Sequence, residues 1–266
     1  MKTLLFLNIQ GSVLVILLLL LKKIIHRSFS GKAQRAMWAF AAVMFLLPIW
    51  KLVPAEKAVP IIIPYYDDSL IYEAVADISE NDDRDFNTEE FSPIKIYDIV
   101  PLIWGSGAAL FMLLSISSYM VFLFKKRRAS NSVTDEVLEN ILPETDIKRK
   151  IRLRECTDND SPMLTGVFFP VVYIPKNELN EAERGYIYRH ELMHFLHKDL
   201  LLKWFVCFIN AIHWFNPFMY IVMRNINEAC EIYCDEEVTK DMDIESKRGY
   251  MNTILNLVGK KGENYV

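Results

Sequence analysis

Cysteine is scarce in this 266-residue chain, and Cys156, Cys207, Cys230 and Cys234 all lie in its second half. Such a set argues against a disulfide scaffold. Cys230 and Cys234, four residues apart, read as small packing residues rather than metal ligands. A long basic patch with interleaved aromatics is also missing, which sets direct nucleic-acid binding aside. Repeats and low-complexity tracts are absent. Acid is missing from Lys22 to Arg35, which carries five Lys and Arg residues, and charge of either sign is missing from all twenty-six residues of Ile99 to Phe124.

What is present in quantity is apolar sequence: 52% of residues are hydrophobic and the mean hydropathy is +0.14. Leu4–Leu21, Ala36–Val53 and Ile99–Phe124 are each long enough to cross a bilayer. No small-residue cleavage site follows the first run and its lysines come after the apolar core, so it reads as a retained span rather than a signal peptide. The basic loop 22–35 and the cluster Lys125–Arg128 mark the cytoplasmic side by the positive-inside rule. The N-terminus and the loop 54–98, with twelve acids against three bases, then fall outside. The expected organisation is a membrane region over 1–128 and a cytoplasmic catalytic domain over 129–266.

Three of the five histidines crowd into "YRHELMHFLH", Tyr188 to His197. His190 and His194 are four apart, so on a helix their rings project from one face and can share a metal ion. Glu191 between them completes H-E-x-x-H, the zinc-hydrolase pattern in which the glutamate activates a water and then carries its proton. A third ligand is needed. His197 is about 10 Å of axial rise from His190, too far to join both histidines on one ion. "NEACEIYCDEEV" offers Glu231 as a ligand, with Asp235 one turn on to accept the hydrogen bond from a ligating histidine's other nitrogen. Glu228 is the alternative.

Leu200–Met223 lies between the histidines and Glu231. One crossing would leave the ligands on opposite faces, and "HWFNP" breaks the run into arms of about fourteen and seven residues, too short to span about 30 Å. It reads as a bent hairpin dipping into or lying on the cytoplasmic leaflet, with His213 a polar anchor in the bend. Ala129–Leu142 reads as a linker leading into an amphipathic helix. "IKRKIRLREC" alternates like a strand, and Val167–Ile174, bounded by prolines, reads as an edge strand onto which an extended substrate adds. Asn177 and Asn180 are candidate caps for the motif helix.

Taken together, H-E-x-x-H, "SPMLTG", "HWFNP" and "CEIYCDE" resemble the BlaR/MecR family of membrane-embedded zinc metallopeptidases, antirepressor signal transducers. The resemblance implies a mainly α, multi-pass membrane protein with three N-terminal transmembrane helices and a cytoplasmic α+β, gluzincin-like domain. It implies Zn2+ held by His190, His194 and Glu231, with Glu191 as general base. It implies cleavage of a cytoplasmic regulatory protein, a winged-helix repressor, in signal transduction at the bacterial cytoplasmic membrane. Only thirty-five residues follow Glu231, with no further span, so the sequence lacks the family's fourth span and C-terminal sensor, and the expectation is a truncated chain, an incomplete gene product, or a short member that senses through another protein. The competing expectations are a quality-control or peptide-processing zinc protease and a non-catalytic receptor or scaffold.

Overall fold

Lys2–Leu20 forms helix α1, apolar around most of its circumference, with Asn8, Gln10 and Ser12 as its interior polar residues. Lys22–Ser28 continues as the short α2. Ser30 then caps α3, Gly31–Met44, its hydroxyl accepting from the Ala33 N–H. A long helix, α4, covers Ile96–Arg128 and ends in four basic residues. The computed structural model describes residues 2–48, 96–157, 161–176 and 179–263. Among these, Thr3–Leu20 and Ile99–Arg128 are long and apolar enough to cross a membrane. The expected span 36–53 is helical only to Met44, and 49–53 lie outside the described residues. So does the acidic loop, except that residues 96–98 open α4.

The second half opens with a four-stranded sheet in the order β1-β2-β4-β3: β1 Ser130–Val133, β2 Arg152–Cys156, β3 Met163–Thr165 and β4 Val171–Pro175. Between β1 and β2 lies α5, Glu136–Ile141. Two expectations are corrected here. Part of the supposed linker is the outer strand β1, tied down by Arg154, which donates to Ser130 Oγ (2.8 Å) and to Arg127 O (3.0 Å). Its polar Ser-Asn-Ser sequence carries no apolar alternation, which hid it. The expected edge strand is interior: β4 pairs with β2 in parallel and β3 antiparallel. Its prolines bound the strand, where no ladder N–H is needed. The edge at that end is β3.

After the sheet come α6, Glu181–Leu196, α7, Asp199–Ile212, α8, Pro217–Thr239, and α9, Ile244–Glu263. Asn180 and Glu183 form a reciprocal capping box that fixes where α6 begins. The α7–α8 pair is the expected hairpin, but its second arm does not stop at Met223. The helix runs on to Thr239, because Arg224, Asn225 and Asn227 end the apolar run without ending helical geometry.

Two polar residues of the turn between the arms, His213 and Asn216, are buried, while Phe215 is exposed. Asn216 caps the Phe218 N–H (2.9 Å) and donates to Asn8 Oδ1 (2.7 Å) and Ser12 Oγ (3.1 Å) of α1. His213 is fully buried, its Nε2 donating to Phe45 O (3.1 Å). Trp104 Nε1 donates to Ile212 O (2.8 Å). Asn8 is fourteen residues, or about 21 Å of helix, before Lys22. Backbone groups freed where the two helices break need partners of this kind.

Two apolar clusters hold the frame. One joins α1, α3, α7 and α8 through Val15, Phe45, Val206, Ile209, Met219 and Val222. The other joins the sheet, α5 and α6 through Leu138, Leu153, Val172, Tyr188 and Leu192. In the second cluster each such side chain contributes about 1.5–3 kcal/mol on burial from water.

Candidate metal centre

Tyr188 and Leu192 anchor α6 against the sheet, which turns His190 and His194 toward α8. The two Nε2 atoms are 3.2 Å apart, and Glu231 Oε2 lies 3.4 Å from each. The three form a nearly equilateral triangle. Around a tetrahedral zinc with bonds of ~2.0–2.1 Å, neighbouring ligand atoms are about 3.3–3.4 Å apart, so this donor set fits such an ion without rearrangement.

The other ring nitrogens are committed elsewhere, as a ligating histidine requires. His194 Nδ1 donates to Asp199 Oδ2 (2.7 Å), and Asp199 Oδ1 lies 2.9 Å from Arg35 Nη2. His190 Nδ1 donates to the Tyr250 hydroxyl (2.8 Å), which donates to Asp235 Oδ1 (2.5 Å). Asp235 Oδ1 itself is 3.3 Å from His190 Nδ1. Lys203 Nζ approaches Glu231 Oε1 at 3.8 Å.

The electrostatics match a cation site. Burial opposes charging His190, yet Asp235 and Glu231 raise it to about 10; for His194 burial is likewise outweighed, by Asp199 and Glu231, and it rises to about 9. Burial acts against Glu231 as well, but the two imidazoles pull its carboxyl far below the usual range. Glu191 is raised, burial outweighing the pull of His194 and His190. Glu191 shares a cleft of about 310 Å³ with His190, His194 and Glu231.

Other sequence candidates are placed elsewhere. Glu228 pairs with Lys22 (2.8 Å) and His26 (3.6 Å), away from the triangle. The His197 ring stacks on Tyr233 with centroids 3.8 Å apart. Cys234 does not merely pack: its Sγ is 3.1 Å from His194 Nδ1, and His194, Asp199 and Cys234 form a second group close enough to hold an ion. Burial pushes the Cys234 thiol well above its usual range, and Asp199 is already engaged by Arg35. The ligand set is therefore better satisfied at the triangle.

Residues 2–266 match the family described as BlaR1 peptidase M56. The chain belongs to that family. It is 26% identical to the methicillin resistance mecR1 protein of Staphylococcus aureus over 178 residues, 65% of this chain and 30% of the relative. It is 26% identical to the regulatory protein BlaR1 of Bacillus licheniformis over 164 residues, 60% and 27% of the two chains. The aligned part thus spans about three-tenths of the length of these curated relatives. M56 peptidases are metallopeptidases, which is the chemistry the triangle suits.

Asp199, Arg35, Tyr250 and Lys203 were not reached from the sequence. Asp199 carries a faint signal, an acid at the first position of a helix five residues after His194. Arg35 and Tyr250 carry none, because each arrives through tertiary packing from a distant segment.

Proposed function

We propose that this M56 member is a zinc endopeptidase at the cytoplasmic face of the bacterial membrane that cleaves a cytoplasmic regulatory protein, a transcriptional repressor. The triangle of His190, His194 and Glu231 carries the reading. When bound there, zinc supplies Lewis acidity and lowers the pKa of a water to near neutrality. His190, His194 and Glu231 would hold it. Glu191, buried and raised, is suited to take a proton from the attacking water and pass it to the leaving amine. Edge strand β3 lines the same cleft at Met163 and Leu164, and its open side offers main-chain groups to an extended peptide, the role first expected of Val167–Ile174.

The side assignment rests on contacts. Lys22 and Arg35 of the basic loop reach Glu228 and Asp199, and Arg154 reaches Arg127 of the second basic cluster. The positive-inside rule makes that side cytoplasmic. Residues 129–266 form the catalytic domain in this reading, α1 and α4 are spans, and the third expected span, 36–53, begins within α3 and extends into residues outside those described. The regulatory substrate is supported by the relatives' names, one a regulatory protein and the other a resistance protein.

The test is co-expression with a candidate winged-helix repressor. Discrete fragments should appear with the wild-type chain and vanish with Glu191→Gln. Glu191-dependent loss of misfolded membrane proteins with the repressor intact would favour quality control, and no Glu191-dependent cleavage of any protein would favour a scaffold.

A further inference from the structure

The loop between β3 and β4 presents Phe168 and Phe169 to the outside, 76% and 77% exposed. It is not slack. Gly166 has φ +84°, and a Cβ there would sit 2.3 Å from Phe169 O, so only glycine makes this turn. Arg149 Nη1 donates to Val167 O (3.1 Å), and Pro170 is buried. Two neighbouring aromatic side chains are held outward by a built turn.

The loop's depth can be read from α4. The Gly166 N–H donates to the Tyr119 hydroxyl (3.4 Å), and the Tyr119 ring packs edge-on against Trp204 of α7 at 5.2 Å. Tyr119 is six residues, about 9 Å of helix, before Lys125. Helical side chains lean toward the helix N-terminus, away from that basic end. The loop therefore meets α4 on the apolar side of the basic collar. Exposed Arg149, Lys150 and Arg152 border the phenylalanines, an arrangement suited to anionic headgroups over an apolar insertion.

We propose that Gly166–Pro170 is a membrane-inserting finger of the catalytic sheet: Phe168 and Phe169 enter the leaflet while Arg149, Lys150 and Arg152 meet anionic lipid headgroups. This rests on the reading of α4 as a membrane span. The finger's base, Gly166 and Val167, walls an apolar cleft of about 390 Å³ that reaches His194. The catalytic cleft is thereby held at the bilayer surface, and a substrate chain enters beside the headgroups.

The test uses the full chain in nanodiscs of phosphatidylcholine and phosphatidylglycerol, with benzoylphenylalanine placed in turn at Phe168, at Val121 of α4 and at Asn140 of α5, all exposed positions. After illumination, lipid adducts are counted by mass spectrometry. Phe168 should match Val121 and exceed Asn140 by about tenfold. Adducts at Val121 but not at Phe168, or capture of protein rather than lipid at Phe168, overturns the finger and leaves the membrane reading standing. No lipid adducts at either position overturns both. Lys150→Gln with Arg152→Gln should lower the Phe168 yield several-fold in these discs and leave it unchanged in phosphatidylcholine alone; an unchanged yield in both overturns the headgroup contact.

Discussion

The two halves of the metal centre are held by different means. His190, Glu191 and His194 ride on α6, whose buried face belongs to the cluster with the sheet and α5, and whose start is set by a local capping box. Glu231 rides on α8, whose apolar packing is with α1, α3 and α7 although Tyr233 and Cys234 also meet α6 and its C-terminal cap, and whose start is set by Asn216 deep among those helices. One half depends on short-range signals and a small sheet. The other depends on the apolar helices closing around a bend. Damage to the first should remove the pair of histidines or the base directly, whereas damage to the second should move the third ligand and spare the α6 residues.

The largest contrast lies within α6. His194→Ala removes a corner of the triangle and should abolish both metal retention and hydrolysis. Glu191→Gln should keep about one zinc per chain and lose ~10²–10⁴-fold in turnover, the usual contribution of a general base. Metal analysis alongside a peptidase assay separates them, and full activity in Glu191→Gln would sink the assignment of the base.

This contrast also explains what was legible in the sequence. The α6 half could be read because helical spacing alone puts His190 and His194 on one face and Asn180 three residues before Glu183. Glu231 and Asp235 could be nominated by their own i, i+4 spacing. Nothing local says that Tyr250 stands between Asp235 and His190, or that Arg35 backs Asp199, since both contacts cross many residues. β1 was missed for want of alternation, and β4 was misplaced at the edge because prolines at the ends of a strand and prolines along an edge look alike in one dimension.

A smaller effect probes how the imidazoles are aimed. Asp199→Asn keeps the shape but weakens the acceptor for His194 Nδ1 and leaves Arg35 without its charge partner. Zinc affinity should fall by ~10–100-fold, the usual range for such supporting groups. Arg35→Gln should do less, because Asp199 still accepts from His194. Competition with a chromogenic chelator ranks the two, and equal affinities in wild type and Asp199→Asn would show that Asp199 does not orient the ring.

The carboxylates around the histidines also give a sign for pH. In the metal-free protein His190 is raised to about 10 and His194 to about 9, from an ordinary value of 6.5. Their stabilisation is therefore fully present below pH 6.5 and fades as pH rises through 9 and 10. Metal needs the neutral rings, so zinc affinity moves the opposite way and strengthens as pH rises toward 9. Thermal melts with and without zinc across this window should diverge. Parallel curves would mean that protons and metal do not compete for these nitrogens.

The subtlest test reaches the α8 half through a residue that touches no ligand. Gly31 begins α3 against the α8 backbone: its N–H donates to Glu236 Oε2 at 2.7 Å, and a Cβ there would lie 2.5 Å from Tyr233 N. Backbone cannot yield as a flexible side chain can, so Gly31→Ala must push α3 and α8 apart, at a cost of about 1–3 kcal/mol for overpacking. Tyr233 is two residues from Glu231, so the displacement is felt at the third corner of the triangle and hardly at all on α6. Zinc affinity should weaken by less than in Asp199→Asn, and the residual enzyme should keep its dependence on Glu191. If Gly31→Ala instead leaves zinc affinity unchanged while lowering the melting temperature, the contact between α3 and α8 supports the fold without setting the position of Glu231.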